Sequence, residues 1–137
     1  GPIGGILRAL CFRKDTPLRL ANGKKVLMKD ISLGDVLENG SKVCGKLQLQ
    51  GDPSNPFYKI WSNKLNDYIY VTGSHKIYNE KLMKWHQFDA NNIENYIPVS
   101  KYKNAIKTND YDEELSCLIT SSHQIPVGEF TFWDWED

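Results

Sequence analysis

The side chains best suited to chemistry in this chain are Cys11, the pair in Thr72-x-x-His75, His123, and Asp134 near the end. A cysteine thiolate is a strong nucleophile, but a free cysteine has a pKa of about 8.5 and needs a neighbouring base or local field to react at neutral pH. Histidine, with an unperturbed pKa of about 6.5, exchanges a proton near neutrality and suits general acid–base work. Each group alone has a blander explanation. A lone cysteine in a soluble protein is most often a small buried hydrophobe. Thr-x-x-His is commonly a capping threonine followed by a surface histidine. His86 is expected to have no chemical role.

Strands must position these groups, because strand signals dominate the chain. Short apolar–polar alternations rich in β-branched and aromatic residues are punctuated by Gly, Asn, Asp and Pro. They predict strands near 6–13, 17–20, 25–29, 34–38, 41–49, 57–62, 67–72, 83–87, 95–99 and 115–120. Asn22-Gly23 between Leu20 and Val26 is a hairpin turn, since glycine takes positive φ without steric penalty. Gly51-Asp52-Pro53-Ser54-Asn55-Pro56 is a loop. Helix is confined to a turn at Ser74–Tyr78 and another at Asp89–Asn95, capped by Asp89. The fold class is all-β, with short strands closed into a sandwich or curled sheet that hides its edges. Residues 101–114, polar and without a clear period, are expected to form a surface excursion.

Length and composition narrow the function classes. A chain of 137 residues makes one compact domain, and an apolar content of 40% with 12% aromatics fits a globular core. Seventeen basic and seventeen acidic residues cancel, which gives no electrostatic case for nucleic acid or an anionic membrane as partner. No apolar run approaches the roughly 18 residues of a membrane span. Cys11, Cys44 and Cys117 are odd in number and lack a C-x-x-C pair, so neither a disulfide framework nor a metal site is expected. A reducing, cytoplasmic setting follows from that usage. No cofactor is called for, and a monomer is expected. Gly1-Pro2 reads as the remnant of a removed tag, and residues 3–10 as a natural upstream flank.

The order of these signals carries a resemblance. Cys11-Phe12 with Thr16, the Asn22-Gly23 hairpin and Val26–Leu37 are followed by Tyr70-Val71-Thr72-Gly73-Ser74-His75-Lys76-Ile77, and together they resemble the hedgehog/intein (Hint) self-processing domain. The resemblance implies a pseudo-symmetric, horseshoe-like fold of many short strands. Residues 1–10 would be the flank and 11–137 a single Hint domain, its excursion at 101–114 too short for an inserted endonuclease. Lys84–Val99 is similar to a structural segment of that family. Leu115–Gly128 contains Ile119-Thr120-Ser121-Ser122-His123-Gln124-Ile125, an echo of Val71–Ile77 that suggests internal duplication. The same stretch resembles a late intein signature, which assigns His123 to the second half of the reaction. The tail departs from the pattern. Asp134 stands where an intein has its terminal Asn, and no Cys, Ser or Thr follows it. Phe132, Trp133 and Trp135 are expected to pack as an aromatic strand end, with Asp134, Glu136 and Asp137 solvated.

What the resemblance implies mechanistically is an N-to-S acyl shift. Cys11 attacks the Leu10 carbonyl, Thr72 orients the amide, and His75 protonates the departing nitrogen, easing an otherwise uphill amide-to-thioester exchange. The substrate is the chain's own flanking polypeptide, and water, a small thiol or another nucleophile resolves the thioester. Without a terminal Asn and an acceptor, N-terminal cleavage or ligation is favoured over splicing. Sterol transfer of the hedgehog kind lacks an apolar lipid-binding segment. Asp15 and Asp52 are candidates for supporting roles, and Cys117 is assigned none. Two other readings stand beside this one. The first is a non-catalytic β-rich interaction module, with Cys11 in the core and the aromatic tail as a docking strand. The second, a conventional cysteine hydrolase acting in trans, lacks an α/β framework.

Overall fold

The protein is described by a computed structural model over residues 10–80 and 89–135. The expected strand at 83–87, His86, most of the upstream flank, Glu136 and Asp137 lie outside the described residues. Twelve strands make up the described part: β1 (Phe12–Arg13), β2 (Pro17–Arg19), β3 (Lys25–Leu27), β4 (Val43–Gln50), β5 (Phe57–Ser62), β6 (Asp67–Thr72), β7 (Lys76–Tyr78), β8 (Tyr96–Pro98), β9 (Ile106–Lys107), β10 (Glu114–Thr120), β11 (Gln124–Val127) and β12 (Phe130–Trp133). Three-residue 3₁₀ turns stand at Met28–Asp30, Ile93–Asn95 and Val99–Lys101. No helix among the described residues is long and apolar enough to cross a membrane.

The strands form a six-stranded sheet in the order β4-β10-β1-β6-β5-β9, a four-stranded sheet in the order β11-β12-β7-β8, and the hairpin β2-β3. Two chain segments pass from the large sheet to the small one. β6 ends at Thr72, turns through Gly73–His75 and continues as β7; β10 ends at Thr120, turns through Ser121–His123 and continues as β11. In the large sheet β1 lies between β6 and β10; in the small sheet β12 lies between β7 and β11. The apolar-Thr-x-Ser-His-x-Ile echo in the sequence therefore corresponds to two equivalent corners. The start of β1 and the end of β12 meet between them.

Side-chain alternation then sorts the residues of β1 and β10. Phe12 and Leu118 face the main core with Ile60, Val71, Ile77, Ile125 and Phe132, all buried. Their neighbours Cys11 and Cys117 point to the other face of the large sheet, where they cluster with Phe57 and Leu115 and are partly covered by Leu47, Leu49, Tyr70 and Trp135. Pro126 is accommodated because β11 is an edge strand. The β11–β12 turn needs Gly128, whose φ is +58° and where a Cβ would sit 2.5 Å from Ser62 Oγ. Next to it the Glu129 carboxylate accepts hydrogen bonds from the Ser62 hydroxyl and the Asn63 N–H, tying this turn to the end of β5.

Several local expectations change. Ser74–Tyr78 is not a helical turn: Lys76–Tyr78 is strand β7, held by pairing with β8 and β12, which local propensity does not encode. The 89–95 segment is helical only over Ile93–Asn95, and its cap is Asn92, which accepts from the Glu94 N–H, rather than Asp89. Residues 34–38 contribute isolated bridges instead of a strand. The 101–114 stretch is not wholly an excursion, since Ile106–Lys107 adds an edge strand to β5. The Asn22-Gly23 turn forms as expected, with Gly23 at φ +88°.

Phe132 is fully buried at the seam, with its ring 4.9 Å from that of Phe12 and 5.7 Å from that of His75. Phe132→Ala is expected to lower unfolding stability by about 3–5 kcal/mol. Denaturant titration checks it; a loss below about 1 kcal/mol would show that the seam is not packed as described.

Candidate functional site

Cys11 enters the corner between the two halves. Its backbone N–H donates to Thr72 Oγ1 at 3.2 Å, and its carbonyl accepts from the Thr72 backbone N–H at 3.0 Å and from the Thr72 hydroxyl at 3.3 Å. Thr72 is buried, so these contacts hold the Leu10–Cys11 peptide nitrogen in one orientation. Capping threonine is thus the wrong reading of Thr72: its hydroxyl serves the peptide group of a residue distant in sequence.

His75 closes the same corner. Its N–H donates to Thr72 O at 3.1 Å and its carbonyl accepts from Val99 N at 2.7 Å, which fixes the turn from both sides. The ring packs 4.6 Å from the ring of Phe12, and the residue is only 1% exposed. Burial pushes its pKa down from 6.5 to about 4, opposed by the Trp133 carbonyl and then by the backbone of Cys11. His75 is therefore neutral at pH 7. Its Nε2 lies 2.5 Å from the Trp133 carbonyl oxygen. A carbonyl only accepts, so the ring proton sits on Nε2. That leaves Nδ1 buried on the side of the Cys11 backbone, with no partner at full hydrogen-bond geometry among the described residues.

The second corner serves the chain end. His123 has φ +65°, and its ring stacks on Trp133 at 5.3 Å between centroids. Its Nδ1 lies 3.1 Å from Asp134 Oδ2, which also accepts from the Thr120 N–H at 2.9 Å. The Asp134 N–H donates to His123 O at 2.7 Å, and the Trp135 N–H to Leu118 O at 2.9 Å. Asp134 is thus not solvated, as its place in an acidic tail suggested; it is 1% exposed, because β12 threads it between the corners. The aromatic tail does pack inward, Phe132 and Trp133 being buried.

The cysteines correct the sequence reading most. Cys11 and Cys117 are joined by a disulfide with a Cα–Cα distance of 4.5 Å, against the expectation of three unpaired thiols. Cys44 is exposed and free. The pairing of β1 with β10, and not any sequence spacing, brings the two together. Of the supporting candidates, Asp15 makes an exposed pair with Arg13, and Asp52 accepts from the Ser54 N–H in an exposed loop. Neither reaches the corner. Sequence reasoning missed Cys117 and the Trp133 carbonyl, the latter because a backbone oxygen leaves no mark in the residue pattern. Among the described residues no group of three or more His, Cys, Asp or Glu side chains could hold a metal ion.

Solved structures share the fold. The MchDnaB-1 intein superposes with a TM-score of 0.66 at 13% identity, over 90% of this chain and 99% of that one. A DnaB intein from Synechocystis sp. PCC 6803 gives 0.64 at 14% identity, over 90% and 97%. The chain has the Hint (intein) fold. The zinc-bound Msm DnaB1 intein splicing domain aligns more loosely, at a TM-score of 0.57 and 15% identity over 86% of this chain and 94% of that one. No family model matches the sequence, and no curated protein matches it.

The depressed pKa of His75 sets a stability dependence. The folded state disfavours the proton, so the contribution is complete above the unfolded pKa of 6.5 and is lost as pH falls toward the folded value of about 4. Between pH 7 and pH 4 the wild-type chain is expected to lose about 3 kcal/mol more stability than His75→Gln. Denaturant midpoints across that window check it, and equal slopes in the two proteins would contradict the buried neutral ring.

Proposed function

We propose that this domain cuts, or transfers, its own N-terminal flank by an N-to-S acyl shift at Leu10–Cys11. The observation that carries the reading is the corner itself: a buried threonine hydroxyl on the Cys11 amide, with a buried neutral imidazole against the Cys11 backbone. The Hint fold supports it. The sulfur is oxidised in this structure, so the reaction begins with two-electron reduction of the Cys11–Cys117 disulfide. A reducing setting, such as the cytoplasm, is where the chemistry runs.

The Cys11 thiolate, its proton released to solvent, adds to the Leu10 carbonyl carbon. His75, protonated from solvent at Nδ1, is a strong acid because its pKa is about 4. It delivers the proton to the Cys11 nitrogen as the C–N bond breaks, leaving a thioester and a free amine. Thr72 holds the amide in line while this happens. The residue after Asp134 is Trp135, which offers no acyl acceptor, so release by water, an added thiol or another nucleophile is favoured over splicing. His123 and the Asp134 carboxylate would act at the Asp134–Trp135 bond, where oxygen attack to an anhydride is a poorer reaction than amide cyclisation.

The disulfide also favours a second reading, a non-catalytic β-rich interaction module stapled by Cys11–Cys117. Incubation with dithiothreitol at neutral pH separates the two. Self-processing predicts a fragment beginning at Cys11 by intact mass, absent without reductant and absent in Cys11→Ala; a chain of constant mass in reductant would leave only the module. His75→Ala and Thr72→Ala are expected to slow the appearance of that fragment by about 10²–10⁴-fold and by about tenfold, respectively. Asp134→Asn is expected to add a species ending at residue 134, because an amide nitrogen can then close on its own carbonyl; mass spectrometry reads it directly.

A further inference from the structure

We propose that the Trp135 indole N–H is the donor that stabilises the oxyanion formed when Cys11 attacks the Leu10 carbonyl. The proposal rests on the reading of Leu10–Cys11 as the scissile bond. Its geometric basis is where the tail meets the large sheet. Phe12 faces Ser116 across the antiparallel β1–β10 ladder, so Cys11 stands opposite Cys117 and the next place along β10 is that of Leu118. The Leu118 carbonyl accepts from the Trp135 backbone N–H at 2.9 Å. Trp135 therefore takes the place beside β10 that Leu10 would fill if β1 ran on upstream, and the tail lies next to the Leu10–Cys11 peptide.

The side chain lies on the face where the reaction takes place. Trp135 packs on the cluster of Cys11, Cys117, Phe57 and Leu115, the face of the large sheet on which the sulfur lies. Its indole nitrogen is buried and has no hydrogen-bond partner among the described residues. A buried N–H left unpaired is costly, and folded proteins keep few of them. The other donors of the corner are committed: the Thr72 hydroxyl serves the Cys11 N–H and carbonyl, and His75 Nε2 is engaged by the Trp133 carbonyl. The Ser74 hydroxyl is also buried without a partner, but it belongs to the turn between β6 and β7, away from the sheet face that carries the sulfur.

The step balances with the groups already named. As the thiolate adds to the Leu10 carbonyl carbon, the C=O π pair moves onto oxygen, and the indole N–H donates a hydrogen bond to it without giving up its proton. When the C–N bond breaks, that pair returns to the carbonyl and the nitrogen takes its proton from His75. An indole N–H only donates, so it gains most from the oxygen that carries the charge, and the apolar side chains around it strengthen that bond. The placement has a consequence for order. The donor stands on the far side of Asp134, so the acyl shift needs the tail attached, and prior cutting at Asp134–Trp135 takes the donor away.

The experiment uses the full chain, reduced at neutral pH with a phosphine in saturating hydroxylamine, so that the fragment beginning at Cys11 appears at the rate of the acyl shift. Intact mass follows it. Trp135→Phe, which keeps a ring but has no N–H, is expected to slow that rate by about 10²-fold. Without hydroxylamine, the fraction of chain held as thioester at equilibrium, read after acid quenching, is expected to stay at the wild-type value. A bond made only in the tetrahedral state speeds both directions alike, whereas lost packing shifts the balance. Should Trp135→Phe fold poorly, benzothienylalanine at position 135 keeps the shape of the indole with sulfur in place of the N–H, and it carries the same expectation. Equal rates with and without the N–H would overturn the assignment and leave the acyl shift standing. A slower rate accompanied by a changed thioester fraction would overturn it too, as would a slow Ser74→Ala beside an unaffected Trp135→Phe. No fragment from the wild-type chain would remove the self-processing reading and the proposal with it.

Discussion

One buried imidazole connects the two ends of this domain. His75 lies against the Cys11 backbone on one side and reaches the Trp133 carbonyl on the other, although these groups are far apart in the chain. Moving an imidazole out of water is tolerable only in its neutral form, which fixes both its low pKa and its tautomer. Everything around it serves that placement. Phe12 and Phe132 pack on the ring, Thr72 and Val99 hold its backbone, and β12 presents the carbonyl that occupies Nε2. A ring whose Nδ1 lies on the side of the Cys11 backbone is the result, and it is the feature that gives the corner its proposed chemistry.

The two strand–turn–histidine corners share a backbone pattern and differ in environment. In the first, the histidine is sealed into the core and carries no charge. In the second, His123 has a side chain 40% exposed and bonds a fully buried carboxylate. The corner at Cys11 thus holds a neutral ring against the Cys11 backbone, whereas the corner at Asp134 holds a carboxylate beside an imidazole. The same local sequence pattern produces two different sites because the strands inserted between the corners, β1 and β12, bring different partners.

The cysteine pair adds a covalent state to this corner. A disulfide across β1 and β10 encloses 106 residues of sequence separation, a loop long enough for the cross-link to restrict the unfolded chain by about 4–5 kcal/mol in the entropic view. The same bond ties up the sulfur that the proposed reaction needs free, so the cross-link and the proposed reactivity are opposed at Cys11.

The sequence by itself determined the all-β class, the Asn22-Gly23 hairpin, the prominence of Cys11, Thr72 and His75, and the duplicated Thr-x-Ser-His pattern. All of these are local: alternation, turn chemistry and short motifs are written within a few residues. Tertiary structure alone decided that Cys117 stands opposite Cys11, that Lys76–Tyr78 is a strand, that Asp134 is buried beside His123, and that a backbone carbonyl fixes the His75 tautomer. Each of these depends on pairing between strands distant in sequence. Register and burial arise only when sheets close on one another, and a side chain such as Asp134 looks the same in the sequence whether it ends in water or in the core.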